Sequence, residues 1–180
     1  ARSVLPTLPS LAPYAIPLAN QSGRPMLCMS MANCKQRLKK GFEFFLKGKF
    51  SDCMKTFRSI LQTIPLVVVD TRQEVAEVKT LIDTCREYIL ATRLQIDSKS
   101  QEPDRKAEMA ALCAHTKLQP PHLSLALTVA MKALHSINNH QDAGAIARRL
   151  LEMNPQPKVA QQAKQVLQVS DRNPRNESKL

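Results

Sequence analysis

From Lys35 to Pro65, apolar positions recur at steps of three and four residues. Leu38, Gly41, Phe42 and Phe45 form one series, and Phe50, Cys53, Met54, Phe57, Ile60, Leu61 and Ile64 form the next. That spacing places a single apolar stripe on each of two helices. Gly48-Lys49 separates the two series and predicts a hairpin turn. The small residues Gly41 and Cys53 mark the place where the two helices cross closely. Pro65 ends the second helix, since it lacks an amide donor and pushes Ile64 toward extended geometry. Leu66-Val67-Val68-Val69 reads as a buried extended linker. Thr71 followed by Glu74 is a capping box that opens a third helix. Val75, Val78, Leu81, Ile82, Cys85, Ile89 and Ile96 form its stripe, and Arg72, Glu77, Lys79, Asp83, Arg86, Glu87 and Arg93 its solvent face.

Downstream the pattern continues. Ser98 to Asp104 is a polar loop in which Pro103 suits the first turn of a helix. The helix carrying Met109, Leu112 and Cys113 has an alanine-rich face. Lys117 to Pro121 breaks it. A second hairpin follows, turning at Asn138-Asn139, and Asn154-Pro155-Gln156-Pro157 ends it. A last helix over 157–170 presents Val159, Ala163, Val166 and Leu167, and the residues from Asp171 read as a polar, frayed end. Gly144 sits inside a helix at a cost of about 1 kcal/mol, which is offset if it permits close helix approach.

The order Gly41, Phe44, Gly48, Phe50, Cys53, Phe57, Pro65 resembles the tetratricopeptide repeat. The same frame fits again at Leu134, His140, Ala143, Ala147, Leu150 and Pro155. An ordinary helical hairpin without repeat ancestry is the alternative. In either case each unit buries one face and needs helical neighbours. The expected fold is all-α: stacked antiparallel helical hairpins forming a tetratricopeptide-like α-solenoid, preceded by a Pro-rich extended arm. Residues 1–30 form the arm or linker, with prolines at 6, 9, 13, 17 and 25. Its leucines leave open whether it is a free tail or a strap packed on the helical body. Residues 31–170 form the helical domain and 171–180 a polar tail.

Composition and charge narrow the function. The chain has 180 residues, no tryptophan and a formal charge of +11. Residues 1–60 carry ten Lys/Arg against Glu43 and Asp52, so the basic excess is concentrated there. Such an excess attracts polyanions, but Phe42, Phe45 and Phe50 in that region are needed for the core and do not form a stacking platform for bases. Prolines interrupt any signal-peptide core, and no apolar run reaches the length of a membrane span. Ala1 in place of Met reads as a piece cut from something longer. Cys28, Cys34, Cys53, Cys85 and Cys113 lie mostly on apolar faces, as expected of buried thiols in a reducing compartment. No zinc spacing joins them to His115, His122, His135 or His140. No catalytic constellation, cofactor site or metal site is expected. Glu87 beside Tyr88, and His122 after two prolines, are isolated chemical candidates. A non-enzymatic, protein-binding helical scaffold is the reading these residues support.

Several stretches together resemble the C-terminal region of the coatomer alpha family of the COPI vesicle coat. They are Gly48-Lys49-Phe50, FRSILQTIPLVVVDTRQEVAEV from Phe57, CREYIL at 85–90, EMAALCAHTKLQPPHL from Glu108, ARRLLEMNPQPKVAQQ from Ala147, and DRNP from Asp171. The resemblance covers about residues 38–180, and residues 1–30 depart from it as a variable linker would. It implies a helical, non-enzymatic coat scaffold acting in Golgi-to-ER retrograde and intra-Golgi transport. The implied place is cytoplasmic, peripheral on Golgi and COPI vesicle membranes. The implied partners are the coatomer epsilon subunit and other coatomer subunits, with no nucleic acid. It also implies a following β-rich module, which shares or holds the epsilon contact. Two alternatives remain: a basic helical module binding nucleic acid or an anionic membrane surface, and an independent tetratricopeptide-like adaptor, for which Ser178-Lys179-Leu180 has the form of a peroxisomal address. The candidate surface for an acidic partner, or for a polyanion such as the coat's membrane side, is Lys35, Lys39, Lys40, Lys47 and Lys49, with Arg148 and Arg149 as a second candidate pair.

Overall fold

Two turns with the same backbone set the frame of the molecule. At the first, Gly48 adopts φ 68° and Lys49 follows at φ −82°, ψ 64°. At the second, Asn138 adopts φ 58° and Asn139 follows at φ −82°, ψ 70°. In both, the second amide bonds back to a carbonyl five residues earlier: Lys49 to Phe44 at 2.9 Å and Asn139 to Leu134 at 3.0 Å. This closes a helix with one residue in the left-handed region, which glycine adopts freely and asparagine tolerates. The repeat frame read in the sequence is thus present in the backbone.

The structure is a computed structural model that describes residues 30–67, 69 and 71–177. Among these lie seven α-helices and no strand: α1 Met31–Leu46, α2 Phe50–Thr63, α3 Arg72–Asp97, α4 Pro103–His115, α5 Pro120–Ser136, α6 His140–Glu152 and α7 Pro157–Arg172. Each packs on its sequence neighbour, so the hairpins stack into an all-α solenoid of tetratricopeptide type. The joint between α3 and α4 is the lightest of these packings. The Pro-rich arm, Cys28 and Ser178-Lys179-Leu180 lie outside the described residues.

Local signals place most boundaries. Ser30 caps α1 by accepting from the Asn33 amide. Thr71 and Glu74 form both bonds of the capping box on α3. Pro103, Pro120 and Pro157 each stand at the first position of a helix, where a missing amide costs nothing. The expected break at Lys117 to Pro121 is therefore shorter: Pro120 and Pro121 already belong to α5.

Two cores run side by side. The first gathers Phe45, Cys53, Phe57, Ile60, Leu81, Cys85 and Tyr88 from α1, α2 and α3, with Cys34 and Cys113 at its edges. The second is built from α4 to α7, with Ala110, Leu127, Ala130, Leu134, Ala143, Ala147 and Leu150 at its centre. The predicted crossing is observed: the Cys53 thiol donates to the Gly41 carbonyl at 3.4 Å. A methyl on Gly41 would come within 2.8 Å of the Phe57 ring. One on Gly144 would come within 2.7 Å of Ser170 Cβ, so Gly144 does permit close approach of α7.

Three expectations need correction. Leu66 is exposed in a 3₁₀ turn, so the linker is not buried along its length; Pro65 directs the chain over the surface there. The buried line of α3 runs through Leu81, Cys85, Tyr88 and Thr92, and Val75 at its start is exposed. Tyr88 and Thr92 bury polar tips because each finds a hydrogen-bond partner, Thr92 donating to the Tyr88 carbonyl. The segment after α7 is not frayed up to residue 177. Asn176 Oδ1 accepts from the amides of Gln141 (3.1 Å) and Asp142 (3.4 Å) while its amide donates to Asp142 Oδ2 (2.9 Å). The Arg175 carbonyl accepts from the His140 amide at 3.1 Å, and Asn138 Nδ2 donates to Glu177 at 2.8 Å. The first turn of α6 is capped from outside its own hairpin.

Candidate partner-binding surface

The lysines of α1 and its turn fall on the solvent side, because α1 buries the face of Cys34, Gly41 and Phe45. Lys35, Lys39, Lys40, Lys47 and Lys49 are all exposed. Each helical residue turns by about 100°, so Lys39 and Lys40 diverge and the five form a band around the outside of the hairpin instead of a line. Lys35 Nζ lies 2.8 Å from Glu77, tying α1 to α3, and Lys47 lies 3.7 Å from Glu43. Both pairs are open to water, where such contacts are weak and readily exchanged. Arg37, on the same helix, is not part of the band. It turns toward α2 and donates to Ser59 Oγ at 3.1 Å and Thr63 Oγ1 at 3.2 Å. The only sequence signal for this is the one-turn spacing of two hydroxyl residues on the facing helix.

Arg148 and Arg149 part company. Arg148 pairs with Asp171 at 3.1 Å, joining α6 to α7 on the surface. Arg149 reaches the other way and donates to the Ala114 carbonyl at 3.0 Å, satisfying the end of α4. The two do not form one cationic site.

Two grooves lie beside α3. A groove of about 430 Å³ runs between α1 and α3, with Met31, Leu38, Phe42, Ala76 and Leu81 among its walls. Lys35 and Glu77 close part of its rim. A second, wider groove lies along α3, where Leu61, Ile89 and Leu90 stand beside Asp83, Arg86 and Glu87.

Of the isolated chemical candidates, Tyr88 and His122 are brought together, while Glu87 points elsewhere. Tyr88 OH hydrogen-bonds His122 Nδ1, and the Gln119 amide donates to the same hydroxyl at 3.0 Å. Glu87 accepts from the Lys117 amide at 2.9 Å. Phe42, Phe45 and Tyr88 surround the imidazole with ring centroids 5.1–5.5 Å away. Burial pushes the His122 pKa down and, as the leading cause, pushes Tyr88 up to about 12. Both groups are therefore neutral near pH 7. Tyr88 is 0% and His122 3% exposed, so no substrate reaches either. The cluster joins α3 to the start of α5 across the light α3–α4 joint and serves packing, not catalysis.

Among the described residues, no three His, Cys, Asp or Glu side chains gather as metal ligands. No helix among them is long and apolar enough to cross a membrane.

The family described as the C-terminus of the coatomer (COPI) alpha subunit matches residues 6–180. The match thus begins inside the Pro-rich arm, further toward the N-terminus than the motifs alone suggest. Coatomer subunit alpha-1 of Arabidopsis thaliana is 41% identical over 163 residues, which is 89% of this chain and 13% of the relative. Coatomer subunit alpha of Dictyostelium discoideum is 35% identical over 182 residues, 96% of this chain and 15% of the relative. A putative coatomer subunit alpha of Schizosaccharomyces pombe is 27% identical over 97% of this chain and 15% of the relative. The chain therefore spans only about 13–15% of the length of these relatives.

Proposed function

Because the chain belongs to the family formed by the C-terminal part of the coatomer (COPI) alpha subunit, we propose that it is a non-enzymatic scaffold segment of the COPI coat. Its work is to hold another coat subunit, the epsilon subunit, during Golgi-to-ER retrograde and intra-Golgi transport, on the cytoplasmic side of Golgi and vesicle membranes. The match over residues 6–180 carries the reading. The stacked helices support it, since a surface that is already folded loses little ordering entropy on association.

Within this reading, Lys39, Lys40 and Lys49, together with Lys35 and Lys47 in their exchangeable pairs, make the surface for an acidic partner. Arg148 belongs to it more readily than Arg149, whose guanidinium is committed to the Ala114 carbonyl. Charges at the edge of an interface act chiefly on the association rate.

The test is calorimetric titration of the chain with the coatomer epsilon subunit at two salt concentrations. Tight binding that changes little with salt is the expected outcome, since a packed protein interface depends on salt less steeply than phosphate contacts do. No binding by the folded chain would remove the epsilon contact from these residues. Replacing Lys39, Lys40 and Lys49 with glutamate is expected to slow association at low salt and leave helicity unchanged. An unaltered rate would take those lysines out of the interface.

A further inference from the structure

On α5, Leu125, Val129, Lys132 and Ser136 follow one another at steps of four, three and four residues, which puts them on one stripe of the helix. That stripe faces solvent: Leu125 is 43% and Val129 41% exposed, one turn apart. Beside it runs a groove of about 480 Å³ between α5 and the start of α4. Pro103, Val129 and Ala133 supply its apolar lining, and Lys106 and Lys132 its charge. In the grooves beside α3, cation and carboxylate stand together, Lys35 with Glu77 and Arg86 with Asp83. Among the described residues, no carboxylate lines the α4–α5 groove; Glu102 and Asp104, close in the chain, are not among its walls. Lys106 and Lys132 are exposed and join no ion pair among the described residues. An apolar strip flanked by unpaired cations is complementary to an apolar strip flanked by carboxylates.

We propose that this face of α4 and α5 docks an acidic amphipathic helix of a partner protein, its apolar stripe on Leu125, Val129 and Pro103 and its carboxylates toward Lys106 and Lys132. Backbone chemistry favours a helix over an extended segment. Both walls are α-helical, so their amides and carbonyls are already paired and offer an extended chain no ladder to join. A helix brings its own backbone bonds and needs only side-chain contacts. Leu125 to Ser136 runs about 17 Å of helix, so about three turns of the partner lie on the surface at once. A third helix laid there would extend the α4–α5 pair in the way the hairpins of the solenoid already stack. The surface is built from other helices than the lysine band of α1, and it does not depend on binding of the epsilon subunit.

The probe is a fluorescein-labelled synthetic helix of about five turns, alanine-based, with leucines on one stripe and glutamates on both flanks. Titrated with the chain and followed by anisotropy, it is expected to saturate in the micromolar range. A matching peptide with lysine in place of glutamate should bind about tenfold more weakly or worse. Lys106→Glu with Lys132→Glu should weaken the acidic peptide about tenfold, and Val129→Asp likewise. Far-ultraviolet circular dichroism should stay constant, because all three positions are exposed. Lys39→Glu with Lys40→Glu makes the same change in net charge on α1 and should leave the affinity within about twofold, which separates this surface from the one assigned to the epsilon subunit. No saturation by the parent chain would overturn the proposal. So would binding that survives Lys106→Glu with Lys132→Glu, or a peptide with serine for leucine that binds as tightly, since charge alone would then account for it. Self-association of the parent chain that Val129→Asp abolishes would also overturn it, by placing a second copy on this face.

Discussion

The α1–α2 and α5–α6 hairpins share a turn and differ in what fills them. Phe44, Phe50, Cys53, Phe57 and Pro65 of the first stand where Leu134, His140, Ala143, Ala147 and Pro155 stand in the second. The rings flanking the turn correspond as well: Phe45 and Phe50 lie 5.7 Å apart, and His135 and His140 5.3 Å. The first hairpin fills the space between helices with large rings and accommodates them with Gly41, which sits under Phe57. The second brings its helices together on Ala143 and Ala147, and Gly144 lets α7 come close. One backbone plan thus tolerates two distributions of side-chain volume, provided each large residue faces a small one. All four described cysteines pack in the first core, and three of them, Cys34, Cys53 and Cys85, stand on its own helices α1 to α3, which makes those thiols reporters of that half.

The sharpest way to break this comparison is to exchange the two fillings. Phe57→Ala is expected to cost about 3–5 kcal/mol, by loss of a buried ring and the cavity left behind. Ala147→Phe is expected to cost about 1–3 kcal/mol through overpacking. Urea unfolding measures both, and an Ala147→Phe chain as stable as the parent would show that small residues do not set the second core. Thiol labelling of the same variants, with Cys28→Ser removing the one cysteine outside the described residues, adds a local readout. Burial pushes Cys53 and Cys85 up to about 12, so they react only on opening. Labelling should accelerate in Phe57→Ala far more than in Ala147→Phe. Equal acceleration would mean that the two halves open as one unit.

The ring pairs give the next effect. Nδ1 of His135 and of His140 are buried without a hydrogen-bond partner, a condition the Phe45–Phe50 pair avoids. His135→Phe with His140→Phe should raise stability by about 1–3 kcal/mol, seen as a higher urea midpoint at unchanged slope. A lower midpoint would show that the two turns are not equivalent in packing.

His122, between the halves, gives a pH effect of known sign. Its folded pKa lies below the ordinary 6.5 because burial disfavours the charged ring. Below pH 6.5 the unfolded chain therefore binds a proton that the folded chain does not. Stability should fall with falling pH by at most about 1.4 kcal/mol per pH unit, from about 6.5 down to the depressed folded value, and be insensitive to this group above 6.5. His122→Gln should flatten that slope, and an unchanged slope would assign the acid loss to other groups.

The smallest effect compares one exposed ion pair from each half. Lys35→Ala, which opens the Glu77 pair, and Arg148→Ala, which opens the Asp171 pair, should each cost at most about 1 kcal/mol and nothing measurable at high salt. A larger loss for Lys35→Ala would mean that the α1–α3 contact depends on this bridge.

How far these features are legible in the sequence depends on their range. Gly48, Asn138, Pro65 and the Thr71–Glu74 box act within four or five residues, and each is readable from the chain. The stripe of α3 reads too early, at Val75, because Tyr88 and Thr92 carry polar atoms and do not count as core by pattern. Their burial depends on partners that pattern does not reveal: His122 stands 34 residues beyond Tyr88. The basic band on α1 is visible as composition. The inward turn of Arg37 and the divergence of Arg148 from Arg149 depend on facing helices; the spacing of Ser59 and Thr63 hints at the first, and no spacing near the arginines encodes the second. The clamp formed by Asn176 on α6 escapes a sequence reading for the same reason, since a cap normally precedes its own helix.

That clamp has a mechanical consequence. A load applied at residue 177 does not pull first on the apolar contacts of α7. It is taken up by the bonds from Arg175, Asn176 and Glu177 to the α5–α6 turn and the first turn of α6. The segment acts as a strain relief, holding the chain at a fixed anchorage and direction so that tension arriving there is spread over two helices before either begins to peel.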